Sequence, residues 1–307
     1  MKKFFIALLI LLLGIILGFN IAVSNRVALI KTTMEDSIIR IINKPSFNQI
    51  AKKCEVPLYN YKKKLNKASL IVGHAYGSAK NLNGTISPNL SNFLLESSSE
   101  FEEIIFTGDV MSTPSAKKWK VLKNQLNKMK LKINIAPGNH DVGTSNDNAY
   151  RDIFFQEFDY EYPYIEERNQ SVYIFMDSTQ SPGKIDDKIL SYLENSKFLN
   201  KTVFIFSHHL LRPNPYLIAN SMNDHRLDIN NIDILEKSTK NFKMIYLISG
   251  DSGLNYQGVD CLQFQNIFFI SSGINYSDND RALILQDGNL FQSRLLNRKP
   301  LEMRDHL

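Results

Sequence analysis

From Lys67 onward, short runs of β-branched and aromatic residues alternate with stretches of helical period, and this alternation narrows the fold more than any other feature of the chain. Strand runs read at residues 69–72, 103–106, 132–135, 171–176, 202–206 and 244–248. Three more, at 261–264, 267–271 and 282–285, precede an Asp287-Gly288-Asn289 hairpin turn and a last strand from Leu290. Between the second and third runs, Trp119, Leu122, Leu126 and Met129 recur at helical spacing, so that one face of residues 115–130 packs on a sheet. The other face carries Lys117, Lys118, Lys120, Lys123, Lys128 and Lys130 and reads as solvated. The pattern predicts an α/β domain over residues 68–307, with helices packed against sheet.

Composition sets the chemistry that is open to such a domain. With 43% hydrophobic and 22% charged residues, the 307-residue chain can bury a real core and is neither disordered nor fibrous. Its two cysteines, Cys54 and Cys261, exclude a disulfide scaffold and a thiolate-built zinc site, although one bond between them is open. A metal would have to be held by His, Asp and Asn. From residue 26 onward 34 Lys and Arg face 31 Asp and Glu, a balance too even to argue for a nucleic-acid partner.

Residues 4–25 carry no charge, and about twenty helical residues span roughly 30 Å, the thickness of a bilayer core. Residues 1–25 therefore read as a signal anchor or a signal peptide, with length favouring the anchor, and both export the remainder. Lys2 and Lys3 place the preceding end in the cytoplasm and the domain outside it. Residues 26–67 lack a sustained period and read as a stalk or lead-in.

Five polar clusters stand directly after predicted strands, at the carboxyl edge where open α/β sheets bind ligands. They are Gly73-His74-Ala75-Tyr76-Gly77, Gly108-Asp109, Gly138-Asn139-His140-Asp141, His208-His209 and Gly250-Asp251-Ser252-Gly253. Each alone is an ordinary turn. Together they bring oxygen and imidazole donors to one rim, a set that suits Mn, Fe or Zn.

The order of these blocks resembles the calcineurin-like metallophosphoesterases, which run D-x-H, then GD, then GNH followed by D or E, then a strand-end His, then G-H-x-H. Gly108-Asp109 matches the second block, Gly138 to Asp141 the third in full, and His208 the fourth. The resemblance implies a four-layer α/β/β/α sandwich, here preceded by one N-terminal transmembrane helix. It also implies one divalent metal held by Asp109, Asn139, His208 and Asp251, with metal-bound hydroxide as the nucleophile. His140 would be the general acid, its ring oriented by Asp141. The first and last blocks depart from the pattern: His74 and Tyr76 stand for the Asp and His of D-x-H, and Asp251 and Gly253 for the two His of G-H-x-H. A second metal would have only His74, Tyr76 and Asp109, so one metal per chain is favoured and two remain possible with His74 as a ligand. Tyr76 and His209 are expected behind the ligands.

The expected reaction is hydrolysis of a phosphomonoester or phosphodiester on a small molecule, lipid or glycan. Gly250-Asp251-Ser252 with Gly138-Asn139-His140 also resembles the SGNH esterases, but their serine block opens the domain, whereas here it comes last. The other reading is a membrane-tethered, non-catalytic binding protein on a degenerate metallophosphoesterase fold.

Overall fold

Alternate side chains buried on opposite faces of two sheets organise the chain, as seen in a computed structural model that describes residues 52–60, 65, 67–78, 85–143, 149–195, 200–212, 224–226, 229–252, 259–275 and 280–295. The first sheet holds β2 (Ala68–Val72), β3 (Phe101–Phe106) and β4 (Lys132–Ile135) as parallel neighbours. The antiparallel hairpin of β13 (Arg281–Gln286) and β14 (Asn289–Arg294) completes it, in the order β14-β13-β2-β3-β4. Its turn uses Asp287 and Gly288, both at positive φ (51° and 74°), the left-handed pair that a two-residue hairpin needs.

The second sheet runs β1 (Lys52–Lys53), β11 (Val259–Phe264), β12 (Ile267–Ser272), β10 (Met244–Ser249), β7 (Thr202–Ser207), β6 (Ser171–Phe175) and β5 (Tyr164–Glu167), in that order. Its parallel centre is β6, β7, β10 and β12. β11 joins antiparallel on one side and β5 on the other. β5 went unforeseen because its Tyr-Ile-Glu-Glu run is a half-buried edge strand with no clear alternation. A separate pair, β8 (Leu210–Arg212) and β9 (Asp224–Arg226), lies beyond β7.

Ile71, Ile105, Leu283 and Leu285 of the first sheet pack with Phe175, Phe204, Phe206, Ile248 and Ile270 of the second, so the two sheets share an apolar layer. Their alternate neighbours Leu70, Val72, Ile104 and Phe106 meet α1 (Pro88–Ser97) through Leu90, Phe93 and Leu94, and α2 (Ala116–Lys128) through Trp119, Leu122 and Leu126. Side chains at one face of a strand cannot reach the other, so the first sheet is covered by helix on its outer side. α5 (Asp187–Asn195) joins β6 to its parallel neighbour β7, and α6 (Ile229–Ser238) stands between β7 and β10. Val172, Ile174, Val203 and Ile205 of β6 and β7, which alternate with the residues facing the first sheet, are buried as well. The chain is thus a mixed α/β fold of two facing sheets.

Helix starts follow local chemistry. Ser87 Oγ accepts from Leu90 N at 3.2 Å with Pro88 in the first turn, and Ser115 Oγ accepts from Lys118 N at 3.3 Å.

Part of the predicted lead-in is built into the domain. β1 (Lys52–Lys53) pairs with β11, Cys54 is disulfide-bonded to Cys261 on that strand, Leu58 bridges to Gln292, and Tyr59 and Leu65 enter the core. The predicted transmembrane segment at 1–25 lies outside the described residues. Among the described residues, no helix is long and apolar enough to cross a membrane.

Candidate metal centre

Two parallel strands of the first sheet and two of the second deliver the four candidate ligands from their carboxyl ends. β3 leads through Thr107-Gly108 to Asp109, β4 through Gly138 to α3 (Asn139–Val142), β7 to His208 and β10 to Asp251. The chain must pass very close at these ends, and glycine allows it. A Cβ on Gly108, whose φ is +83°, would stand 2.6 Å from His208 Cβ, and one on Gly138 would overlap the Asp109 carboxylate. Asp109 itself adopts φ 54°, an uncommon left-handed conformation for a non-glycine residue, held within a fully packed turn.

The four expected ligands converge. His208 Nε2 lies 3.0 Å from Asn139 Oδ1, 3.4 Å from Asp109 Oδ2 and 3.9 Å from Asp251 Oδ1. Ligand atoms of Asp109, His208 and Asp251 all lie within 4.8 Å of one another, and all three residues are buried. His208 Nδ1 faces the Thr107 carbonyl at 3.2 Å. A carbonyl only accepts, so Nδ1 carries a hydrogen, and Nε2 is the nitrogen left to ligate a cation held among these oxygens. Two carboxylates, an amide oxygen and an imidazole so arranged fit a divalent cation of the Mn, Fe or Zn kind.

Electrostatics agrees with this use. Burial works to raise the Asp109 pKa, but His208, His140 and His74 outweigh it and hold the carboxyl below its ordinary range. For His208 burial works to lower the pKa, and the charges of Asp109, Asp251 and Asp141 reverse the sign, so its ring sits above the ordinary imidazole value. Two buried carboxylates and an amide oxygen crowded around one buried ring are what a cation would relieve.

The expected role of Asp141 is corrected by its hydrogen bonds. Its carboxylate accepts from Gly138 N and Val110 N, both at 2.9 Å, tying the α3 turn to the segment after Asp109. It does not orient His140. That ring is held instead by Nδ1 donating to the Ser112 carbonyl at 3.0 Å, while His140 N donates to Asp109 Oδ1 at 2.9 Å. Being next in sequence to His140 puts Asp141 at the third position of a helical turn, where its carboxylate reaches back to the N-cap rather than sideways. Burial, with Asp109 nearby, pushes the Asp141 pKa up to about 7.

His74 and Tyr76 lie beside the centre but outside the group of close ligand atoms. His74, at φ 51°, uses Nδ1 on the Ile274 carbonyl at 3.0 Å. Burial lowers its pKa, partly countered by Asp109. The Tyr76 ring contacts the rings of His74 (4.2 Å between centroids) and His140 (5.2 Å). Burial first, then the charges of Asp109, Asp251 and Asp141, drive its phenol well above the ordinary value, which disfavours a phenolate ligand. His209 turns to Ser178: its Nδ1 donates to the Ser178 carbonyl at 3.0 Å, and its ring lies 5.1 Å from that of His208. Ser178 Oγ accepts from the backbone N–H of both His208 (3.2 Å) and His209 (3.0 Å), so it fixes the turn that presents the ligand. Gly253 lies outside the described residues. Thr107, Ser112 and Ser178 were not legible from sequence, because two act through backbone carbonyls and the third is a hydroxyl with no motif.

No family model matches the chain, and neither does any curated relative. Among solved structures, a purple acid phosphatase from yellow lupin (Lupinus luteus) seeds aligns at a TM-score of 0.55 and 9% identity over 76% of this chain. The aligned chain spans about half of that structure, 52%. A dimetal phosphatase from Danio rerio aligns at TM-score 0.46 and 10% identity, over 75% of this chain and 99% of that one. Phosphopantetheinyl hydrolase from Mycobacterium tuberculosis aligns at 0.42 and 12%, over 69% and 92%. The last two alignments are too loose to carry an argument. The two facing sheets and the alignment with the purple acid phosphatase give this chain the same type of two-sheet α/β fold as that structure, with the candidate ligands at the carboxyl ends of its strands.

Proposed function

We propose that the chain is a metal-dependent phosphoesterase that works with one divalent cation, held by Asp109, Asn139, His208 and Asp251. The observation that carries this reading is the His208 ring, fixed through Nδ1 so that Nε2 faces the oxygens of the other three. A cation bound there supplies Lewis acidity, polarising a phosphoryl oxygen and lowering the pKa of bound water from 15.7 toward about 7.

The chain's own residues do the rest. Asp109 and Asp251 bring negative charge to the cation, and the neutral Asn139 oxygen adds a ligand without adding repulsion. His140, with Nδ1 occupied by Ser112, has Nε2 as the nitrogen that can pass a proton to the leaving alkoxide. Asp141 sets the backbone turn that carries both Asn139 and His140. With a neutral imidazole at His74 and a phenol at Tyr76 where a second cation would need charge, one cation is the better count. The substrate would be a phosphorylated small molecule, lipid or glycan. A Cys54–Cys261 bond is in keeping with an extracytoplasmic domain, because disulfides persist in oxidising compartments.

The test is turnover of an aryl phosphate and an aryl phosphodiester by manganese-loaded protein, with and without chelator. Activity should vanish on chelation and in His208→Ala. Hydrolysis that persists through both would overturn the proposal.

A further inference from the structure

We infer that the hydroxyl of Tyr76 is a catalytic hydrogen-bond donor to a phosphoryl oxygen of the substrate; this rests on the phosphoesterase reading above and adds a residue to it. Tyr76 is 6% exposed, and its ring touches that of His140, the candidate acid, at 5.2 Å between centroids. Its backbone N donates to the carbonyl of Asp109, a candidate ligand, at 3.3 Å, and its ring also contacts that of His74 at 4.2 Å. The ring is therefore beside the candidate acid and against the turn that carries Asp109.

The backbone holds it there. His74 N donates to the Gly108 carbonyl at 3.0 Å, Tyr76 N to the Asp109 carbonyl at 3.3 Å, and Gly77 N closes a turn on the His74 carbonyl at 2.9 Å. On the far side, Ser87 N donates to the Ala75 carbonyl at 2.7 Å. A donor fixed before substrate arrives needs no reorganisation when charge develops on the phosphoryl oxygens, and this is where electrostatic catalysis gains most.

The charge inventory calls for such a donor. Among the described residues, the groups that build the centre include three carboxylates and no lysine or arginine. A phosphoryl group has more non-bridging oxygens than one cation can neutralise, and a phenol O–H can serve one of them without a further positive charge. The hydroxyl needs only to donate; no bond to it forms or breaks. The competing role is metal ligation as phenolate, and the two differ in what removal of the oxygen does to metal content.

The experiment compares full-length wild type with Tyr76→Phe, which keeps the ring contacts with His74 and His140, and with Tyr76→Gln, which restores an N–H donor. Each is loaded with manganese, assayed for metal content by elemental analysis and titrated with orthophosphate by calorimetry, with melting temperature as the check on folding. The expected result is unchanged metal content in Tyr76→Phe, with orthophosphate bound roughly ten- to a hundredfold more weakly, as for loss of a hydrogen bond to a charged group, and partial recovery in Tyr76→Gln. Equal orthophosphate affinity in wild type and Tyr76→Phe overturns the inference, and so does a fall in metal content, which assigns Tyr76 as a ligand. Wild type that takes up no manganese and binds no orthophosphate overturns the phosphoesterase reading itself.

Discussion

His208 donates its Nδ1 hydrogen to the carbonyl of Thr107, 3.2 Å away and two residues before Asp109. A residue at the end of one sheet thus orients the ring of a candidate ligand delivered by the other. Gly108, between Thr107 and Asp109, has no room for a side chain against the His208 ring, so the contact depends on both residues of the Thr107-Gly108 turn.

Gly108→Ala should therefore damage the centre without touching a ligand. Its φ of +83° is unfavourable for alanine, and the new Cβ would press on His208. We expect metal affinity to fall by at least about tenfold, as when the group behind a ligand is disturbed, with a smaller loss of overall stability. Competition with a fluorescent chelator measures the first and denaturant unfolding the second.

His140→Gln should separate substrates by leaving group. General acid catalysis contributes about 10²- to 10⁴-fold when a poor leaving group needs a proton, and little when the leaving group departs as a stable phenolate. Alkyl phosphates should lose far more rate than nitrophenyl phosphate. Equal losses on both would show that His140 is not the acid. Ser252→Ala, by contrast, should be tolerated, whereas a serine-nucleophile mechanism would lose all turnover.

Arg168 and Glu103 join the two sheets away from the centre. Arg168 Nη1 and Nη2 donate to the two Glu103 carboxylate oxygens at 2.7 and 2.9 Å, Asn134 Nδ2 donates to the same group at 2.7 Å, and the guanidinium lies 3.7 Å from the Tyr173 ring centroid. Arg168→Ala leaves a buried carboxylate without its counter-charge and should cost about 3–5 kcal/mol in denaturant unfolding. Glu103→Gln in the Arg168→Ala background should recover part of that loss.

Reduction of the Cys54–Cys261 bond frees residues 52–60 from covalent attachment to β11. The bond closes a loop of 207 residues, for which chain entropy allows up to about 5 kcal/mol. Cys54→Ser should lower the melting temperature by several degrees, and thiol alkylation of unreduced protein should label neither cysteine.

Much of the frame was legible because fully buried strands announce themselves. β4 begins and ends at the predicted residues, and β2, β3, β7 and β10 fall within two residues of expectation, each an apolar run closed by a polar turn. The positions Asp109, Asn139, His208 and Asp251 were legible for the same reason, since strand ends are where such turns gather. What escaped depends on three-dimensional neighbours. Asp141 follows His140 in sequence, yet helical geometry turns its carboxylate to Gly138 N, and the partner of His140 is a carbonyl 28 residues earlier. The docking of Lys52–Lys53 is carried by backbone pairing and a cysteine 207 residues away, neither of which has a local pattern. Ser87-Pro88 is a legible helix start that a reading centred on strands passes over.

Elemental analysis of full-length protein after manganese loading and removal of free metal tests the central claim most directly. The account predicts one metal per chain, lost in His208→Ala and retained in His74→Ala. Two metals per chain, falling to one in His74→Ala, would contradict the single-cation centre, and no bound metal in folded protein would contradict the metal-dependent mechanism altogether.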